Sequence, residues 1–165
     1  MAWLHPITII GILAGVLAAL TMGSLYTSRF PSEELPSATF LARLFGGEAD
    51  QYEAGGVVLF VAYGGLVGGL YPWLFHGLLG LSGKWIASLP YTMLTALAFG
   101  IVLTGPWTVL RVVGLVDPPY RPVDGFDDEQ ADRYITMAGL HLVYGLILGF
   151  LVGLSRPFWY PIIGL

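Results

Sequence analysis

The chain has 165 residues, 56% of them hydrophobic and 11% charged, with no cysteine and a formal net charge of −4. A soluble domain is nearer 25% charged, so the composition points away from a water-soluble fold and towards a bilayer. The lack of cysteine excludes disulfides, thiolate metal sites, iron–sulfur clusters and cysteine catalysis, and there is no basic patch for nucleic acid.

The first apolar stretch, Ile7–Tyr26, has the ~20 residues a membrane-crossing helix needs. It lacks the basic start and small-residue cleavage site of a signal peptide, so it is read as a retained helix. Gly11, Gly15, Ala19 and Gly23 recur along it at every fourth position, which puts small residues on one face. The following segment, 27–54, is polar. Within it "PSATFLARLFGG" (36–47) predicts a short interfacial helix, capped by Ser37 and ended by Gly46, with Phe40, Leu41, Leu44 and Phe45 as its apolar face.

The second span, Gly55–Leu79, carries Gly64 and Gly68, and the third, Trp85–Val113, carries Thr92, Ala96, Gly100 and Thr104 at the same spacing. Pro106 predicts a kink in the third span. The loop 114–133 is rich in proline and acid, and "DDEQADRY" (127–134) puts acids at the amino end of the last helix, where the helix dipole favours them. The fourth span, Tyr134–Leu154, carries Gly145, Gly149 and Gly153. None of the four alternates polar and apolar residues, so these are helices and not barrel strands. Tryptophans 3, 73, 85, 107 and 159 fall mostly near predicted span ends, as interface anchors do.

The expected fold is therefore all-α integral membrane: one four-helix transmembrane domain over 1–165, multi-pass in the cell membrane, with both termini on one side. "FVAYGGLVGGLYP" (60–72) and "HLVYGLILGFLVG" (141–153) align through their Tyr-Gly pairs, which suggests two parallel two-helix repeats, 1–81 and 82–165. Small residues four apart let helix backbones approach, so Gly11, Gly15, Gly23, Gly64, Gly68, Gly100, Gly145, Gly149 and Gly153 are expected at helix contacts, within the bundle or against a partner. All eleven acids lie in 27–54 and 114–133. These loops are long and mix arginine with acid, and both termini are assigned to the cytoplasm.

Candidate chemistry is sparse. Ionisable groups inside a span are functional hypotheses by default, and His141, on the Gly145 face, meets that description. Tyr144, Arg111, Thr104 and Thr21 could join it in a polar cavity for a proton or small anion; the simpler account has Arg111 snorkelling to the interface and His141 tying helices together. His5 and His76 both lie on the terminus side and form the one pair able to ligate haem b, although the expectation is no cofactor. No metal site is expected, since the acids of 124–132 do not have EF-hand spacing. There is no phosphate loop, HExxH or GxSxG, and no mid-membrane carboxylate pair.

A glycine-rich first span, "PSATFLARLFGG", a Tyr-Gly span and a final "HLVYGLILG" span together resemble small four-transmembrane-helix proteins of haloarchaea. The resemblance implies a histidine three residues before Tyr-Gly in both halves, where this chain has Phe60 in the first. It implies a fold and no activity. The function expected first is a non-catalytic membrane subunit or accessory protein of a larger complex, such as a respiratory one, associating with other subunits or itself through the small-residue stripes. The alternatives are a small oligomeric channel or transporter and a b-type haem protein.

Overall fold

The structure, a computed structural model, describes residues 4–74, 88–116 and 128–159. Among these residues there is no strand. Helix α1 spans Leu4–Arg29, α2 Pro36–Phe45, α3 Glu53–Trp73 after a 3-10 turn at Ala49–Tyr52, α4 Leu89–Val112, α5 Asp128–Leu154 and α6 Arg156–Trp159. Four of these helices are long and apolar enough to cross a membrane. The predicted span pieces at 75–79 and 85–87 lie outside the described residues, as do Trp3 and Trp85.

The bundle consists of two antiparallel hairpins, α1 with α3 and α4 with α5, joined mainly where α1 packs on α5. Glycine sets the closeness of each hairpin. A Cβ on Gly68 would lie 2.7 Å from the Gly15 Cα and run into the Gly11 carbonyl, and one on Gly15 would meet the Gly64 carbonyl and lie 2.9 Å from the Gly68 Cα. The second hairpin uses the same device. Added carbons on Gly145 and Gly149 would meet the Ala96 and Thr92 carbonyls, and one on Gly100 would meet that of His141. Gly153 abuts the Thr92 side chain, whereas Gly23 is looser, 3.3 Å from the Phe60 ring. The shift along the chain that carries Gly64 to Gly145 also carries Gly68 to Gly149, Gly15 to Ala96 and Gly11 to Thr92.

The symmetry breaks where α3 faces α4. These helices meet at one end through Tyr71, whose hydroxyl donates to the Thr92 carbonyl at 3.0 Å and lies 2.6 Å from Thr95 Oγ1, with its ring 5.6 Å from Phe99. Towards the loop side they separate. Tyr71→Phe is expected to cost about 1 kcal/mol, as hydrogen bonds between membrane helices do. Graded-denaturant unfolding in detergent checks this, and an unchanged midpoint would show that the tether contributes nothing.

Helix α2 differs from its expected face. It rests on the bundle by small residues, Ala38, Thr39 and Ala42, with Ala38 packed against Gly56, while Leu44 and Phe45 are exposed. Ser37 does not cap the helix; its hydroxyl donates to the Gly56 carbonyl at 2.6 Å and fastens α2 to α3. Gly46 does end it, at φ 83°, a left-handed value that glycine adopts without steric cost.

Candidate functional site

The separation of α3 from α4 leaves a cleft of about 300 Å³. Its floor comes from α1 and α5 (Met22, Met137, His141 and Tyr144, all buried) and its rim from exposed Tyr63 and Pro106. Pro36, Ser37 and Phe40 of α2 close the loop-side end. The lining is almost entirely apolar. α4 runs through Pro106, which presents its ring to this space.

His141 is 5% exposed, and its Nδ1 lies 2.8 Å from the Met137 carbonyl one turn back. A carbonyl only accepts, so Nδ1 carries the hydrogen of this bond. Tyr144, one turn further on, donates its buried hydroxyl to the Gly64 carbonyl across the bundle at 2.6 Å. Gly64 makes this possible: a side chain there would collide with Ala19 of α1, and α3 would be pushed away from α1, moving the Gly64 carbonyl with it.

The structure brings His141 and Tyr144 together and leaves the other three expected members apart from them. Thr21 faces outward with its hydroxyl on the Leu17 carbonyl, at 3.0 Å. Thr104 likewise donates to its own helix, to Ile101 at 2.6 Å. In both residues the hydroxyl satisfies itself on the preceding turn and lines no shared space. Arg111 does not snorkel out. It is 0% exposed, its guanidinium carbon 4.5 Å from the Tyr134 ring centroid and 5.1 Å from that of Trp107. Those two rings meet edge to face at 5.3 Å. Arg111 lines a separate void of about 10 Å³.

Beside that void the loop-side ends of α1 and α5 are tied by charge. Arg133 pairs with Glu33 at 2.6 Å, Glu33 also accepts from the Tyr26 hydroxyl at 3.1 Å, and Arg29 pairs with Asp132 at 2.8 Å. The exposed Arg29 pair contributes little; the part-buried Glu33 pair fixes the turn after α1. No spacing rule connects residues so far apart in the chain, so neither pair is legible in the sequence.

Of the suggested haem ligands, His76 and the side chain of His5 lie outside the described residues. Among the described residues no three His, Asp or Glu side chains gather as a metal site. Comparison with protein-family models, curated proteins and solved structures finds no match.

Proposed function

We propose that this chain is a non-catalytic accessory subunit of a larger membrane assembly, held there by the outer face of α4. One observation carries this reading. In its membrane-length window α4 is 22% buried within the chain, against 39–44% for the other three long helices. Its outer face presents Val102, Val109 and Val112, all exposed, around Gly105, which has nothing within 4 Å of an added Cβ. A small residue set among branched ones makes a groove that a helix from another chain can enter closely. The glycine stripes are already occupied inside the two hairpins; Gly139 on α5 is open as well, and it is the lesser burial of α4 that favours Gly105 as the residue that receives a partner.

The matching registers of the hairpins support reading them as parallel repeats, and the four spans suit a multi-pass protein whose termini share the cytoplasmic side. A conducting path for a proton or small anion draws less support, because Thr21 and Thr104 face their own helices and the cleft is apolar.

The test is photo-crosslinking in native membranes from a benzophenone residue at position 102 or 109. The expected result is a discrete heavier product containing one foreign chain, reduced about tenfold by Gly105→Leu while the amount of this chain is unchanged. Adducts to lipid alone, or a product indifferent to Gly105→Leu, would remove the proposal.

A further inference from the structure

The cleft between α3 and α4 has a separate chemical logic. Its volume, about 300 Å³, is at the lower end of small-molecule sites, and its rim at Tyr63 and Pro106 is open on the side that faces lipid if the four helices cross a bilayer. Phe60, Leu103 and Met137 supply apolar walls. A longer apolar chain could leave between the two helices past the Tyr63 ring and Pro106.

Three polar groups at the floor and closed end of this space share one property, while the Tyr63 hydroxyl stands apart at the open rim. The Ser37 hydroxyl donates to the Gly56 carbonyl and the Tyr144 hydroxyl to the Gly64 carbonyl, so each offers the cleft lone pairs and no hydrogen. The third is His141. With Nδ1–H turned back onto the Met137 carbonyl, Nε2 is at the ring's opposite edge, and it has no hydrogen-bond partner among the described residues. Among the described residues no carboxylate lines the cleft, and an uncompensated charge in such surroundings is costly. The ring therefore stands as the neutral tautomer, with the Nε2 lone pair as an acceptor. Trp107 adds ring surface only, since its Nε1 has no accessible area. Among the described residues no cation lines the cleft for an anionic headgroup, and Arg111 is stacked against two aromatic rings beside the neighbouring void.

We propose that this cleft binds a neutral lipophile through a hydroxyl group that donates to His141 Nε2, the apolar body lying between α3 and α4. An isoprenoid or fatty alcohol and a hydroquinone share this chemistry.

The full chain in mild detergent is titrated with geranylgeraniol and, separately, with its methyl ether, following tryptophan emission. The expected result is a saturable change that Trp107→Phe abolishes, with the ether about tenfold weaker than the alcohol, the size of one neutral hydrogen bond. His141→Phe is expected to weaken the alcohol about tenfold and bring it level with the ether. Duroquinol against duroquinone repeats the comparison for a ring headgroup. Preference for the reduced form, with tighter binding than the alcohol, assigns a hydroquinone; tighter binding of geranylgeraniol than of duroquinol assigns an alcohol, and preference for duroquinone or for the ether contradicts the proposal. The wild-type pairs need no variant, so a misfolded His141→Phe leaves the test intact. Equal binding within both pairs, or no saturable change with any of the four, overturns the proposal.

Discussion

Gly68→Ala is expected to lower the stability of the folded bundle by about 2–3 kcal/mol, the upper part of the usual cost of overpacking, while Gly139→Ala, the same chemical change in α5, is expected to leave it unchanged or raise it by less than about 1 kcal/mol. The difference is contact alone. The added carbon at 68 would stand 2.7 Å from the Gly15 Cα and against the Gly11 carbonyl, both of them backbone atoms that no rotamer change can move. The carbon at 139 would meet nothing within 4 Å. Helix propensity favours alanine at both positions, by up to about 1 kcal/mol, so at 68 the clash must win by the larger sum. Bilayer lipid offers no hydrophobic drive to bring helices together, and a forced retreat of α1 from α3 loses dispersion contacts along the whole hairpin. Unfolding in graded denaturing detergent reads both variants. Equal effects would show that propensity rather than close approach governs these positions.

Trp159→Ala is expected to cost about 2–3 kcal/mol and to release α6. Trp159 is 1% exposed, and its Nε1 donates to the Val152 carbonyl at 3.0 Å, an acceptor it shares with the Ser155 hydroxyl at 2.8 Å. In a water-soluble core such a truncation costs about 3–5 kcal/mol. Within reach of lipid the transfer part shrinks, because the released surface need not meet water, and the lost packing and the cavity remain. Four residues cannot hold a helix by their own hydrogen bonds, so α6 depends on this anchor. Hydrogen exchange at the amides of residues 155, 156, 158 and 159 is the measurement: fast exchange in the variant with α5 still protected is the expected pattern, and unchanged protection would refute the anchoring role. The sequence places Trp159 near a span end, as interface anchors are, and the structure buries it there.

The four long helices were legible because about twenty apolar residues in a row leave a chain few other choices. The glycine spacing was legible too, since a period of four marks one helix face. Which helices those faces join was not, and for a physical reason. A stripe states that something comes close without naming it, so Gly105 and Gly68 look alike in sequence although one faces open space and the other a backbone. The candidate cavity shows a similar limit. His141 and Tyr144 were placed together by the one-turn spacing of a single helix. Thr21, Thr104 and Arg111 were placed by depth alone, and depth does not decide whether a hydroxyl bonds its own preceding turn or a guanidinium folds between two rings. The cleft had no sequence signal, because it arises where a contact between α3 and α4 is missing.

The hairpin architecture also bears on the order in which the molecule is made. Each glycine seam closes within its own half of the chain: α1 finds α3 and α4 finds α5. Ribosomal synthesis releases the amino-terminal pair first, and that pair already contains both surfaces of its seam. It can zip before α4 exists. The second pair then zips in turn, and the two finished units dock late, chiefly along α1 and α5. Of all the helix contacts this last is the one left open longest, and the cleft between α3 and α4 takes its shape only when it forms.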